Sequence, residues 1–340
     1  MDKQRSFLLD IFRIILCIGV VVYHYTPERP SSGPFMVNGF LVLSGFLVGK
    51  MFSTQTNFDV VRFYNNKARR LLPMFFAALL LGFACKIYTN SVVPAWKISE
   101  WANFSLVQYL MYYNTPLWYM GVEFFMLMLV PVLYCLSRTK WGLYLFVLVA
   151  TLITCGLFSR VPSNSPFGSG LYFSPVARCW QFVLGVSAAS LCAKMQKWSL
   201  ECKTVFKIAT CCLFTVFVVS GGILAIIKQA ATLHYWNYSF SFDLLSSSFY
   251  AVLIPCLYSN TFDVLGVWKK MAKYASELTY PVFLIHVPLL MILNYLAGIS
   301  FAQLPYWITA ITAGIVSIVS AGIMIKLESR FLTVSTHKSL

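Results

Sequence analysis

The chain has 340 residues, of which 59% are hydrophobic and only 11% charged, and its mean hydropathy is +0.73. A soluble domain carries about 25% charged residues, so this composition excludes an ordinary soluble fold and indicates a polytopic membrane protein. The net charge of +15 follows the pattern of membrane topology rather than of a nucleic-acid surface, and no nucleic-acid partner is expected. The ten cysteines are scattered through apolar segments with no Cys-x-x-Cys and no Cys/His spacing of a metal site. They read as buried free thiols, and no metal is expected.

Apolar runs predict ten helices, at about 8–25, 35–52, 71–89, 117–136, 141–158, 176–194, 206–228, 243–258, 278–297 and 305–325. The fold class expected is all-α, a membrane helical bundle of about ten transmembrane helices. Proline, glycine and polar clusters separate the runs, as between Pro27 and Pro34. The first run is followed by Tyr23-His24-Tyr25-Thr26-Pro27, with no small-residue cleavage site, and reads as a retained span. With the N-terminus in the cytoplasm, the outside receives only Arg29, Lys86, Lys97, Arg160 and Lys228. Arg13 and Arg178 lie in or near spans, and every other of the 26 lysines and arginines falls inside. That bias predicts both termini in the cytoplasm. No internal repeat, long linker or appended soluble domain is read, so residues 1–340 are taken as one membrane domain. The external loops near 86–116 and 159–175 are aromatic and polar, and large enough to shape a substrate mouth.

The first span carries Asp10 and Arg13 near its start and His24 near its end. Ionisable groups in a span are costly and mark function. Arg13 and His24 stand almost three turns apart on nearly one face, about 16 Å along the axis at 1.5 Å per residue. Such a pair suits a long anionic ligand that reaches into the membrane. Asp10, one turn before Arg13, is placed to hold its rotamer. Neutral His24 can take a proton from a hydroxyl. Position alone serves a second reading equally, with Arg13 snorkelling to headgroups and His24 closing the span.

Between the second and third runs lies Phe63-Tyr64-Asn65-Asn66-Lys67-Ala68-Arg69-Arg70-Leu71-Leu72-Pro73. Lys67, Arg69 and Arg70, just before the third span, can bind phosphates; by charge alone they also serve as a topogenic cluster on anionic lipid. Glu123 follows Leu117-Trp118-Tyr119 about two turns into a span, on the side where His24 ends its own, and is expected to orient that histidine or to satisfy a packing network. Trp118 and Tyr119 by themselves suit an aromatic belt. Asn38, Ser44 and Gly45 in the second run, Arg178 in the sixth, and Tyr280 and His286 in the ninth complete the candidates. His286 sits mid-membrane, where a histidine needs a partner. His234 and His337 carry no assignment.

In order along the chain, these pieces resemble the acyltransferase-3 family of integral membrane O-acyltransferases. The resemblance covers nearly the whole length. It rests on Leu9-Asp10 and Arg13 with His24, Phe40 to Leu47 around Ser44-Gly45, Lys67 to Pro73, Trp118 with Glu123, Arg178 with Phe182 and Gly185, and Tyr280 to His286. Lys67 stands where the family often has arginine, keeping the charge without the bidentate fork. Asn38 stands where an acidic residue is common.

The resemblance implies transfer of an acetyl or longer acyl group from cytoplasmic acetyl-CoA to a hydroxyl of an extracytoplasmic glycan. O-antigen of lipopolysaccharide, capsule, exopolysaccharide or a lipid-linked precursor would serve as acceptor. It implies an enzyme integral to the bacterial inner membrane with no permanently bound cofactor, acetyl-CoA being a donor cosubstrate. His24, Glu123 and Arg13 would be catalytic, and Arg13, Lys67, Arg69 and Arg70 would hold the donor. Asp10, Asn38, Ser44, Trp118, Arg178, Tyr280 and His286 would support them. Direct transfer and an acyl-histidine relay both fit. Embedded Arg, His and Glu fit a transporter or flippase for a lipid-linked sugar or anion as well; dependence on CoA separates the two. A membrane scaffold without chemistry leaves the aligned Arg13 and His24 unexplained. Oligomeric state is not legible.

Overall fold

The computed structural model describes residues 6–25, 32–55, 57–89, 114–160, 172–195, 235–259, 264–300 and 306–337, with the isolated positions 204 and 208. Among these residues every regular element is an α-helix and no strand occurs. The helices are α1 (Phe7–Tyr25), α2 (Ser32–Thr54), α3 (Val60–Tyr88), α4 (Leu117–Ser137), α5 (Gly142–Arg160), α6 (Pro175–Met195), α7 (Tyr235–Ser259), α8 (Gly266–Ser300) and α9 (Tyr306–His337). Six of them, α1, α2, α3, α4, α6 and α8, are long and apolar enough to cross a membrane, and α5 and α9 hold shorter apolar stretches at Gly142–Leu157 and Ala310–Lys326. The span expected over 206–228 lies outside the described residues, as do most of the two external loops.

Large apolar side chains are exposed at helical spacing, including Ile15, Ile18 and Val22 on α1, Phe76, Leu80, Phe83 and Ile87 on α3, and Ile311, Ile315 and Ile318 on α9. Water would not tolerate such stripes, whereas lipid solvates them.

Helix α3 corrects the sequence reading, which began the third span at 71. The helix starts at Val60, because Asp59 caps it: its carboxylate accepts from Arg62 N–H at 2.9 Å. Pro73 does not end the helix. The basic segment is therefore part of one continuous helix with the span that follows it. Helix α8 likewise begins well before the expected 278. It contains Pro288, which has no N–H for the carbonyl of Leu284. Asn114 replaces it, its Nδ2 donating to Leu284 O at 2.7 Å and to Ala78 O at 3.3 Å.

The chain forms two compact units. The first comprises Met1–Phe12, Pro34–Phe58 and Val122–Val264. In it α5, α6 and α7 pack on one another, and the start of α1 meets α7 through Phe12 against Tyr250 and Ser6 Oγ on Leu257 O. Helices α2 and α6 approach at glycines. A Cβ on Gly45 would strike the carbonyl oxygen of Phe182, and one on Gly185 would strike that of Val42. Small residues bring helix backbones this close in membranes, where no hydrophobic force draws helices together.

The second unit comprises Arg13–Gly33, Asp59–Gly121 and Leu265–Leu340. Here α8 packs against both α3 and α9. The later part of α1 joins them through Tyr25, Leu290 and Ala313, with Val21, Leu293 and Ala310 around that cluster, and through Cys17 Sγ on Thr279 O at 3.5 Å.

Candidate active site

Helix α1 is unbroken from Phe7 to Tyr25, so Arg13 and His24 keep the helical separation expected of them. Both are half-buried. In the second unit the His24 ring lies 5.1 Å, centroid to centroid, from the ring of His286 on α8, and edge-on to Tyr23 at 4.9 Å. Tyr25 fastens the same place, its hydroxyl donating to His286 O at 2.9 Å and lying 3.2 Å from Ser317 Oγ on α9.

His286 is fully buried. Its Nδ1 lies 2.8 Å from Phe283 O and 3.2 Å from Val282 O. Carbonyls only accept, so Nδ1 carries the proton, and in the neutral ring the lone pair sits on Nε2. Nε2 is buried and has no hydrogen-bond partner. Half of this side chain thus has the partner a mid-membrane histidine was expected to need, and half does not.

Tyr280, two turns earlier on α8, donates its hydroxyl to Leu71 O at 2.9 Å. This ties α8 to α3 just beyond the basic segment. Lys67 Nζ lies 5.8 Å over the Phe63 ring. At 3.6 residues per turn, Lys67 and Arg70 share one face of α3, and Arg69 is turned about 100° from Arg70 and farther still from Lys67. The three expected donor contacts therefore do not form one cluster on the helix. Trp118 and Tyr119 are buried, at 6% and 9% exposure, and Tyr119 packs edge-on against Phe283 at 5.3 Å. They are packing residues, not belt anchors.

The remaining candidates belong to the first unit. Glu123 is buried and accepts from Ser44 Oγ at 3.1 Å, so two sequence candidates from different spans meet. Asp10 is buried on α1. Arg178 is the centre of a polar network that the sequence showed only in pieces. Its Nη1 donates to Asp243 Oδ2 at 2.8 Å and to Asn38 and Gln181 at 3.2 Å; its Nε donates to Tyr172 O at 2.8 Å. The guanidinium also lies 4.1 Å over the Tyr172 ring. Asn38 Nδ2 donates to Asp243 and Ser246, each at 2.7 Å, and Gln181 Nε2 to Asn38 and Ser247, each at 2.8 Å.

Asn38 and Arg178 were singled out from sequence; Asp243, Gln181, Ser246 and Ser247 were not. Asp243 was findable, since an acid within an apolar run is the signal that exposed Glu123. Asn114 was not, because only the fold brings it to the carbonyl that Pro288 strands.

Comparison with known proteins follows the same outline. A family model described as an acyltransferase domain, of the acyltransferase-3 type, matches residues 8–326. Among curated proteins the chain is similar to the O-acetyltransferase OatA of Staphylococcus aureus, in strains NCTC 8325 / PS 47, COL and MRSA252. Each is 21% identical over 97% of this chain, which spans 57% of the relative's length. No solved structure matches it significantly.

Proposed function

The chain belongs to the acyltransferase-3 family, and we propose that it moves an acetyl group from cytoplasmic acetyl-CoA to a hydroxyl of an extracytoplasmic glycan such as O-antigen, capsule or exopolysaccharide. The observation that carries this reading is the unbroken α1. It holds a cation and a base on one face, almost three turns apart, within a helix able to cross a membrane. Lys67 and Arg70 on one face of α3, in the same unit as Arg13 and His24, supply charge for the phosphates of CoA. Arg13 contacts the donor, and the pantetheine arm spans toward His24. Arg69 is kept in the donor-binding set as a peripheral charge.

In the reaction His24 takes the proton of the acceptor hydroxyl as the oxygen attacks the thioester carbonyl. The C–S bond breaks, and the CoA sulfur leaves with the proton returned by His24, so no covalent enzyme forms. Glu123 is retained in the proposed catalytic set on the motif resemblance alone. Ten spans with both termini on the cytoplasmic face of the bacterial inner membrane complete the proposal, supported by the distribution of lysine and arginine.

The test is purified protein in liposomes with acetyl-labelled CoA, with and without cell-envelope glycan extract. Label enters glycan with the unmodified protein, and His24→Ala lowers the rate by about 10²–10⁴-fold, the usual contribution of a positioned base. A correctly inserted and fully active His24→Ala variant overturns the mechanism. No CoA turnover by the folded protein favours transport instead. In the same assay Lys67→Gln with Arg70→Gln raises the KM for acetyl-CoA; an unchanged KM assigns the pair to topology and lipid.

A further inference from the structure

We propose that His286 is a positioning residue that acts through His24, its Nε2 accepting an N–H of the His24 ring when that ring holds two protons. The inference rests on the acyl-transfer reading above and extends it to a residue on a different helix.

Three observations combine. First, the proton of His286 is committed to Nδ1 by the carbonyls of Phe283 and Val282, which leaves Nε2 able only to accept. Second, Nε2 is fully buried and unpartnered. A buried polar atom without a partner costs free energy and calls for an explanation. Third, the titratable ring beside it is His24, 5.1 Å away between centroids at an interplanar angle of 53°. At that separation an N–H of one imidazole reaches a nitrogen of the other when the rings turn toward each other; as placed, the bond is not made.

The surroundings hold the ring in place. Tyr25 grips the backbone of His286, and the rings of Tyr25 and Phe283 stand 5.9 and 6.1 Å from it. Within the catalytic step the proton balance is simple. One ring nitrogen of His24 takes the hydroxyl proton and the other already bears one. The resulting imidazolium donates its second N–H to His286 Nε2 while the first proton passes to the departing sulfur. A base oriented by a third group is the general logic of such sites. His286 supplies it here as a neutral acceptor, which the low-dielectric surroundings tolerate better than a second charge.

The experiment uses the full chain in lipid nanodiscs. His286→Phe keeps a ring of similar size and removes the lone pair; His286→Gln restores an amide acceptor near the position of Nε2. The expected result is a fall in kcat of about 10- to 100-fold for His286→Phe, the size expected when one hydrogen bond to a charged group is lost. The KM for acetyl-CoA stays within about twofold, and His286→Gln recovers a substantial part of kcat. Equal loss in both variants, or wild-type kcat in His286→Phe, overturns the proposal. A readout independent of turnover is nitrogen NMR of protein labelled at its four histidines. The Nε2 signal of His286 shifts on His24→Ala if the rings communicate, and an unmoved signal overturns the pairing. Should the unmodified protein transfer no acetyl group, the acyl-transfer reading fails, and the NMR result alone decides whether the two rings form a pair.

Discussion

Arg178 and Asp243 show how a membrane protein keeps charge inside. The two are 2% and 4% exposed at the side chain and 2.8 Å apart; Asn38 bonds to both, Gln181 accepts from Arg178, and Arg178 Nη2 is buried with no hydrogen-bond partner among the described residues. Breaking such a pair by removing one partner leaves the other charge buried alone, at a cost of about 3–5 kcal/mol. Asp243→Ala is therefore expected to lower the unfolding temperature of the detergent-solubilised protein markedly. The double variant Asp243→Leu with Arg178→Met is expected to recover part of the loss. An Asp243→Ala variant with unchanged thermal stability would show that the network does not hold α2, α6 and α7 together. Arg178, which the motif resemblance singles out, links three helices through this network.

At the scale of helices, two motifs that looked separate in the sequence are the two sides of one contact. Ser44-Gly45 on α2 and Phe182 with Gly185 on α6 place each glycine under the other helix's backbone. The obstructing atoms are carbonyl oxygens, which cannot rotate aside as a side chain can. Gly45→Ala or Gly185→Ala must push the helices apart, and overpacking of this kind costs about 1–3 kcal/mol. Each variant is expected to lose that much in thermal or chemical unfolding, and the double variant less than the sum, because the first displacement makes room for the second methyl. Strict additivity would mean that the two sites do not share one interface. Ser44, one residue before Gly45, is thereby delivered to Glu123, so the close helix contact and this hydrogen bond use the same turn of α2.

For the molecule as a whole, the proposed reaction separates its two substrates by the membrane. In that proposal the donor is cytoplasmic and the acceptor outside, an orientation argued from the bias of lysine and arginine. Membrane vesicles provide the check. Labelled acetyl-CoA added to the medium is expected to label glycan in inverted vesicles and not in right-side-out ones. Equal labelling in both orientations would remove the transmembrane arrangement of donor and acceptor from the proposal. Apolar stripes on α1, α3 and α9 place lipid, not water, around these helices.

The sequence by itself determined the class and the alignment of the Arg13 and His24 pair. Low charge and long apolar runs require helices in lipid, since only a helix satisfies its own backbone there. Helical periodicity alone aligns Arg13 with His24, because both lie on one element. Motif order pointed to the family. What lay beyond it is everything that depends on two elements meeting. Helix α3 runs through its basic segment, where hydropathy read a boundary, because a cap at Asp59 starts the helix regardless of the charge that follows. Only tertiary packing set His286 beside His24, Glu123 on Ser44, Asp243 on Arg178 and Asn114 under the carbonyl stranded by Pro288. Each of these joins residues far apart in the sequence, and a hydropathy profile records how apolar a helix is but not which neighbour it turns toward.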